Sequence, residues 1–271
     1  MTRIAVTIAG SDSGGGAGLQ GDLKTFSALG VYGASVVTAL TAQSTKGVAA
    51  IHDVPPDFVA AQMDAVFSDL AVGAVKIGML SRPAVIAAVA AGLTRWRQTK
   101  VVLDPVMVAS SGERLLAPDA VDVLKRELIP LALVLTPNLP EAAALLGVPQ
   151  ARTQDEMRAQ AQALLAFGAK AVVIKGGHAA GPDSVDLLVE RNAVVALPLT
   201  RIEARNTHGT GCAFSAAIAA GLAKGMELEP ATRSAKRYVH AAIAAADTLE
   251  IGSGSGPVHH FHAMWPFLTS P

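Results

Sequence analysis

Several features that would assign this sequence to a class at once are scarce or missing. Cys212 is the only cysteine among 271 residues, which excludes an intrachain disulfide and fits a reducing compartment. Aromatic residues make up only 4% of the chain, although 51% of it is hydrophobic, so the core must consist mainly of Ala, Val, Leu and Ile. Lys plus Arg equals Asp plus Glu, at 22 each, and no basic stripe occurs, which argues against nucleic acid or an anionic membrane as the main partner.

Long apolar runs are missing as well. No run approaches the ~18 residues that a membrane-spanning helix needs, and the apolar start at residues 4–9 is too short for a signal peptide before Ser11 and Asp12 interrupt it. The chain has no Gly-Lys dipeptide, so it cannot contain the phosphate-binding loop of the P-loop enzymes. We therefore expect a cytoplasmic protein that acts on neither membranes nor nucleic acid.

Short apolar runs of β-type composition alternate along the chain with longer Ala-rich segments of helical character. The runs at 101–103 and 131–135 are apolar on both faces, as central parallel strands are. Repeated alternation of this kind predicts an α/β fold in which helices cover both sides of a parallel sheet. Because no linker or internal repeat interrupts the pattern, we expect one domain over residues 1–271.

The pattern also predicts the individual elements. The predicted strands are residues 4–9, 35–42, 72–77, 101–103, 131–135, 171–174 and 185–189, with 194–197 as the hairpin partner of the last. The predicted helices are residues 19–29, 57–70, 82–97, 119–128, 139–146, 154–167, 213–224 and 230–249. Residues 44–56 are expected to form a small flap beside the main sheet.

Polar and glycine-rich residues recur directly after the predicted strands. Ligands of open α/β sheets bind at the carboxyl ends of the strands, so this distribution predicts a ligand site there. The residues concerned are 10–18, Gln43, 78–79, Asp104, 136–141, 175–178 and 206–212.

The loop 206–212 carries the strongest functional indication. Gly209, Thr210 and Gly211 allow a close approach, and the helix expected after them would point its first N–H groups and its positive dipole end at an anion. Cys212 lies in that first turn, where the pKa of a thiol is expected to be lowered. The loop thus predicts a phosphoryl-transfer site, and the alternative is a tight loop before a packing helix with an inert, buried cysteine.

The first loop contains a literal G-x-G-x-x-G at residues 16–21. A dinucleotide-binding fold would need an acidic residue about 20 positions further on, but residues 36–42 contain none. Asp22 also stands where a phosphate would be repelled. The spacing therefore does not indicate a dinucleotide site.

Three charged residues follow strands further along the chain. Glu141 and Asp104 are carboxylates of the kind that order the water shell of Mg²⁺. The alternative for the segment of Glu141 is a simple helix cap at Asn138. Lys175 would be a costly charge in the sheet interior without a partner, whereas at the strand end it could reach a nucleotide phosphate. His259, His260 and His262 resemble a metal cluster, but no cysteine or nearby acid completes it, so we interpret them as a tail and assign no metal.

Together these segments resemble the ribokinase-like superfamily, and within it the hydroxymethylpyrimidine/phosphomethylpyrimidine kinases of thiamine biosynthesis. The similarity extends over nearly the whole chain. It is carried by residues 7–12, 15–18, 22–26, 38–43, 76–80, 102–107, 136–142, 175–178, 206–212 and 256–262. Single motifs are shared with other kinases, whereas the set, and the segment 256–262 above all, is specific.

The resemblance implies a three-layer α/β/α sandwich, commonly dimeric, that uses ATP and Mg²⁺ in two successive phosphoryl transfers. The first acceptor would be the hydroxymethyl group of 4-amino-5-hydroxymethyl-2-methylpyrimidine, and the second the resulting monophosphate. The implied pyrimidine pocket comprises Gly10, Ala17, Asp22, Gln43, Met79 and Val106. Asp104 and Glu141 would organise Mg²⁺, Lys175, Thr207 and His208 would bind the nucleotide, and Gly209, Thr210, Gly211 and Cys212 would hold the transferred phosphoryl group.

Cys212 departs from the wider superfamily, which usually carries an Asp that is taken as the catalytic base. The pyrimidine kinases are similar to this chain in having Cys there, so its role stays open. Phosphoryl transfer has a loose transition state, and positioning matters more than base strength.

Gln43 is the residue expected to select the ring. A glutamine amide presents an acceptor beside a donor, which complements the amino group and ring nitrogen of an aminopyrimidine, with Met79 and Val106 as apolar walls. A pyridoxal kinase of the same fold is the nearest alternative function, and a non-catalytic nucleotide-sensing module is a more distant one.

Overall fold

The computed structural model describes residues 2–108, 112, 115–117, 119–178 and 181–265. Its strands are β1 (Ile4–Ala9), β2 (Tyr32–Val37), β3 (Ala39–Ser44), β4 (Gly47–Asp53), β5 (Ala74–Ile77), β6 (Val101–Leu103), β7 (Val134–Leu135), β8 (Ala171–Ile174), β9 (Asp183–Glu190) and β10 (Ala193–Thr200). Its helices are α1 (Gly18–Ala28), α2 (Pro56–Asp69), α3 (Pro83–Arg95), α4 (Ala120–Val123), α5 (Leu139–Leu146), α6 (Gln154–Leu165), α7 (Thr210–Ala223) and α8 (Leu228–Ala244).

Eight strands form one sheet in the order β10-β9-β8-β7-β6-β5-β1-β2. The strands from β8 to β2 run parallel, whereas β9 and β10 form the predicted antiparallel hairpin. The core on one face includes side chains of α2, α3, α5 and α6, and the core on the other face includes those of α1, α7 and α8. The expected three-layer α/β/α sandwich is confirmed.

Helix α7 is the central helix of its layer, and its sequence explains why. Eleven of its residues, from Ala213 to Ala223, are buried, because small side chains on every face let the helix pack against the sheet and against α1 and α8 at once. A helix that is apolar all round cannot lie at a surface. The first turn of α7 is thereby fixed beside the carboxyl ends of the strands.

Two strand predictions are wrong in part. The predicted strand 131–135 is confined to Val134–Leu135, because Ile129–Leu131 form a turn of 3-10 helix. Residues 35–42 do not form one strand but belong to two, because the chain leaves the main sheet at Thr38. The hydroxyl of this buried residue donates to the carbonyl of Met79 at 2.9 Å, which fixes the bend. The flap is thus the antiparallel pair β3–β4 and begins at Ala39 rather than at residue 44.

On both outer strands of the sheet, backbone groups that could pair with a further strand are missing or already bonded. Pro198 lies on the edge strand β10 and has no N–H to offer. On β2, the side chain of Gln62 accepts from the N–H of Val37 at 2.9 Å and donates to its carbonyl at 3.0 Å. Among the residues described, no helix has the length and apolar character needed to span a membrane.

Candidate active site

The carboxyl ends of three neighbouring strands bring two carboxylates and a lysine together. Asp104 follows β6, Glu141 lies in the first turn of α5, and Lys175 follows β8. The Nζ atom of Lys175 lies 2.8 Å from Oδ1 of Asp104 and 3.9 Å from Oε2 of Glu141. Burial alone would lower the pKa of Lys175, but the two carboxylates outweigh it and raise that pKa. The lysine is therefore a permanent cation at this site.

Asp104 is held by hydroxyl groups from two directions. Thr136 donates to its Oδ1 at 3.2 Å, and Ser215 of α7 donates to its Oδ2 at 3.1 Å. Ser215 is a buried polar residue in an otherwise apolar stretch of helix. The Ser215 bond therefore fixes α7 relative to the end of β6.

Glu141 combines the two roles that the sequence left open. Its Oε2 accepts from the N–H of Asn138 at 2.7 Å, and Asn138 Oδ1 accepts from the N–H of Glu141 at 2.8 Å, which is a complete capping box. Burial raises the pKa of Glu141 to about 7, although Lys175 opposes the shift. A carboxyl group with this pKa gains from a nearby cation.

The first turn of α7 faces Lys175 and Asp104. Gly209, the residue before the helix, has φ of 81°, and a Cβ atom there would overlap the carbonyl oxygen of Gly16. A Cβ on Gly211 would lie 3.2 Å from Nζ of Lys175 and 3.9 Å from Oδ2 of Asp104. The first N–H groups of a helix have no partner within it, so backbone donors and an ammonium group border the same space, as a phosphoryl group requires.

The expectation that the helix terminus lowers the pKa of Cys212 is wrong. The residue keeps some accessibility, but burial of its thiol raises the pKa to about 11, with Lys76 opposing the shift. Loss of solvation outweighs the helix dipole here, since a thiolate loses more from burial than it gains from partial charges. The free protein therefore carries a protonated thiol at neutral pH.

A second lysine–aspartate pair lies deeper, beneath this space. The Nζ of Lys76 on β5 lies 2.8 Å from Oδ2 of Asp22, and Thr7 on β1 donates to the same oxygen at 2.6 Å. Lys76 and Asp22 are both fully buried. Burial alone would lower the pKa of Lys76, but the charge of the neighbouring Asp22 outweighs it and raises that pKa. In the described part of the chain, Oδ1 of Asp22 is buried without a hydrogen-bond partner.

The glycine-rich first loop is folded around one of the protein's own carboxylates. Oδ1 of Asp12 accepts from the N–H of Gly14 at 2.8 Å, and Oδ2 accepts from Gly16 at 3.0 Å and Ala17 at 2.9 Å. These amides are therefore occupied by Asp12. The loop is not a pyrophosphate cradle, in keeping with the interpretation of its spacing.

Comparison with known proteins identifies the family of this chain. A family model described as "Phosphomethylpyrimidine kinase" matches residues 12–259 of the chain. The chain belongs to this family. The hydroxymethylpyrimidine/phosphomethylpyrimidine kinase of Rhizobium meliloti is 63% identical over 265 residues, which cover 98% of this chain and 99% of that protein. The enzyme of the same description from Escherichia coli is 53% identical, with 98% and 100% covered.

Solved structures place the fold among vitamin kinases. The ADP complex of Bacillus subtilis pyridoxal kinase superimposes with a TM-score of 0.89 at 36% identity, covering 97% of this chain and 99% of that one. A phosphomethylpyrimidine kinase from Clostridium difficile gives a TM-score of 0.79 at 43% identity, with 89% and 99% covered. The chain is therefore a kinase by family, and nucleotide complexes are known among its structural neighbours.

The residues expected to bind the ring lie in the first loop, in segments that contact it and beside Asp104, except Asp22, whose side chain is fully buried. Their ring-binding roles stay predictions. A Cβ on Gly10 would lie 3.0 Å from Sδ of Met79, and the Cα of Ala17 lies close to Gly209. Gln43 is tied to the first loop, since Ser13 accepts from its N–H at 2.8 Å. Val106, also expected at the ring, donates its N–H to the carbonyl of Asp104. Asp22 lies buried against Lys76.

Thr207 is exposed beside the cradle and its carbonyl accepts from the hydroxyl of Thr210 at 2.7 Å. His208, also expected at the nucleotide, places Nε2 2.9 Å from Oδ2 of Asp12. Their nucleotide roles stay predictions. His259 and His260, which the sequence analysis interprets as part of a tail, are buried.

Sequence reasoning missed several site residues. Lys76 and Thr7 stand as polar interruptions within short buried strands, and Ser215 stands within an apolar helix. A buried polar residue needs a partner, so such interruptions at strand ends are the pattern that could have identified them. The role of Asp12 had no comparable indication, because its partner His208 lies 196 residues away.

Proposed function

We propose that the protein phosphorylates 4-amino-5-hydroxymethyl-2-methylpyrimidine with ATP, first to the monophosphate and then to the diphosphate, in thiamine biosynthesis. The observation that carries the proposal is the shared space between the first turn of α7 and the Lys175–Asp104–Glu141 cluster. Membership of the phosphomethylpyrimidine kinase family supports it.

In this proposal the protein supplies position and charge. Lys175 and the N–H groups of Gly211 and Cys212 would stabilise the transferred phosphoryl group, whose transition state is loose and spreads charge over its oxygens. The hydroxymethyl group would approach from the side of the first loop, near Gly10 and Ala17. Because the thiol of Cys212 is protonated at neutral pH, we assign it a contact role before a role as base.

Asp104 and Glu141 fit the requirements of Mg²⁺. They are buried oxygen donors at one site, and the raised pKa of Glu141 indicates that a further cation would be accommodated there. Mg²⁺ commonly uses one or two carboxylates and takes its other ligands from water and phosphate. When bound, the ion would supply charge neutralisation beside the nucleotide phosphates. Within the described residues, no group of three or more His, Cys, Asp or Glu side chains could hold a metal ion by itself.

Mass analysis of products tests the proposal directly. Enzyme, ATP, Mg²⁺ and the aminopyrimidine alcohol should give monophosphate first and diphosphate later. Monophosphate alone, with ATP in excess and enzyme still active, would contradict the second transfer. No phosphorylated pyrimidine at all would contradict the proposal.

Pyridoxal kinase activity is the second candidate, because pyridoxal kinases superimpose on 97% of the chain with TM-scores of 0.88–0.89. Gln43→Leu separates the two. Stranding a buried hydrogen-bonding group costs about 1–3 kcal/mol, so this variant should lose kcat/KM for the aminopyrimidine far more than for pyridoxine. Equal losses would mean that Gln43 does not read the ring.

We further propose that residues 1–271 act as one kinase domain, as a homodimer in the cytoplasm. Exposed apolar side chains on β2, the flap and the start of α2 support a subunit interface there, namely Tyr32, Leu40, Ile51 and Phe58. The single cysteine supports a reducing compartment. Sedimentation of the purified protein, with Phe58→Glu as the disrupting variant and Val148→Glu as the exposed control, measures the oligomer.

A further inference from the structure

The side chains of Asp12 and His208 join the two loops that border the candidate active site. Asp12 stands in the loop after β1, and His208 stands just before α7. Nε2 of His208 lies 2.9 Å from Oδ2 of Asp12, the same oxygen that accepts from Gly16 and Ala17. The pair is largely buried, since the side chain of His208 is 13% exposed and that of Asp12 is 3% exposed. One carboxylate therefore organises the first loop and contacts the second.

The carboxylate of Asp12 is charged, and the histidine donates to it. Burial alone would raise the pKa of Asp12, but hydrogen bonds from His208, Ala17 and Gly14 outweigh it and lower that pKa. An ionised carboxylate only accepts hydrogen bonds, so Nε2 of His208 carries the proton. This direction of the bond means that a side-chain amide at position 208 could replace the imidazole as donor.

The two loops also touch through their backbones. A Cβ on Gly16 would lie 2.5 Å from Cδ2 of His208, and a Cβ on Gly209 would overlap the carbonyl of Gly16. Because no Cβ atom would fit at either glycine, the two loops lie in close contact, and one has little room to shift without the other. The separation between the loops is therefore set where Asp12 meets His208.

The chain after α8 fixes the backbone of His208 as well. The N–H of His208 donates to the carbonyl of Gly256, and its carbonyl accepts from the N–H of Val258, both at 3.1 Å. The neighbouring Asn206 accepts from the N–H of Gly256 at 3.0 Å. With its backbone held on both sides, the imidazole ring is aimed at Asp12 by the fold itself.

We propose that Asp12 and His208 are positioning residues, which hold the acceptor-side loop at a fixed distance from the phosphoryl cradle of α7. The inference rests on the proposed kinase function and differs from the expected role of His208 as a nucleotide contact. The loop of Asp12 leads to Ala17, and the loop of His208 leads to Gly209 and the first turn of α7. The pair thus sets how far the alcohol oxygen stands from the transferred phosphorus.

Such a role has a defined kinetic consequence. A displacement of about 1 Å between reacting groups can cost about 10²-fold in rate, while the binding of each substrate changes little. His208→Leu should therefore lower kcat for the first transfer about 10²-fold and leave the KM for ATP within about twofold. His208→Gln should recover most of the rate, because its amide nitrogen can donate to Asp12.

A double-variant cycle distinguishes positioning from two separate effects. Asp12→Asn and His208→Leu should each lower kcat, and the double variant should be hardly slower than the worse single one, since residues that act through one contact are not additive. His240→Leu is the control, because His240 bonds the carbonyl of Thr200 outside the site. Melting temperatures and ATP binding by calorimetry verify that each variant is folded and loaded.

Three results would overturn the inference. A raised KM for ATP with unchanged kcat in His208→Leu would make His208 a nucleotide contact. Equal losses in His208→Leu and His208→Gln, or full additivity in the double variant, would remove the Asp12 bond as the cause. Absence of pyrimidine phosphorylation by the unmodified protein would instead contradict the proposed function, so the two failures can be told apart.

Discussion

Two lysine–aspartate pairs lie under the same edge of the sheet with the same 2.8 Å separation, and they differ in exposure and in the number of charged partners. Lys76 and Asp22 are sealed from solvent, whereas Lys175 is 14% exposed and faces Glu141 as well as Asp104. A fully buried ion pair cannot be reached by another ion, so each of its charges is stabilised mainly by the other. A pair at the opening, with a second carboxylate beside it, can accept a new anion on the lysine and a new cation on the carboxylates. Distance alone does not separate a structural ion pair from a functional one; accessibility and the number of partners do.

Removing the sealed cation should give the largest effect on stability. Lys76→Met leaves the Asp22 carboxylate buried without its partner, and breaking a buried pair in this way costs about 3–5 kcal/mol. Denaturant unfolding measures the loss. The triple variant Thr7→Val/Asp22→Leu/Lys76→Met should regain most of it, because replacing the whole polar group by apolar residues is often neutral. If the triple variant is as unstable as the single one, the cost is a packing defect and not an unpaired charge.

Removing Lys175, the partly exposed cation, should act on catalysis instead. Lys175→Met should lower kcat about 10²–10³-fold, the cost of losing one preorganised group that stabilises transition-state charge. Its free energy of unfolding should fall less than that of Lys76→Met, because this cluster is partly exposed and Asp104 keeps its hydrogen bonds from Thr136 and Ser215. Lys224→Met, at an exposed helix end, is the control for loss of a lysine. A larger stability loss in Lys175→Met than in Lys76→Met would reverse the comparison.

The raised pKa of Glu141 predicts the pH dependence of the open cluster. Burial raises this pKa to about 7, so Glu141 gains a proton, and loses its charge, as the pH falls below 7. The kcat/KM of the free enzyme should therefore fall about tenfold per pH unit below 7, the slope of a single ionisation. Glu141→Gln should abolish this inflection at a lower overall rate. An unchanged inflection in Glu141→Gln would assign it to another group.

The strand ends and the three layers could be predicted because they depend on local patterns of apolar residues. The runs that begin at Val101 and Ala171 show such patterns. The break at Thr38 could not, because it is fixed by a hydrogen bond to Met79, a contact distant in sequence. The cluster around Lys175 was foreseen as separate strand-end residues, whereas its assembly depends on strand order. The prediction of a lowered pKa for Cys212 was wrong because burial of the thiol, which the sequence does not reveal, outweighs the effect of the helix terminus.

Cys212→Ala should give the smallest effect. A thiol with a pKa of about 11 is a poor base at neutral pH, so we expect a kcat loss below about tenfold, less than the 10²–10⁴-fold of general acid–base catalysis. Steady-state kinetics at saturating ATP provide the measurement, with Cys212→Ser as the matched polar variant. A loss of 10²-fold or more in Cys212→Ala alone would restore the thiolate as base.

The outer strands of the sheet have a consequence for how copies of the chain can meet. Exposed sheet edges act as templates for strand addition, and proteins that accumulate in cells obstruct them. Here Pro198 withholds a donor at one edge, and the amide of Gln62 occupies both backbone groups of Val37 at the other. Chains that come together are thereby directed away from continuous intermolecular sheets, the route to amyloid-like aggregates, and toward contacts made by side chains, which can be specific and reversible.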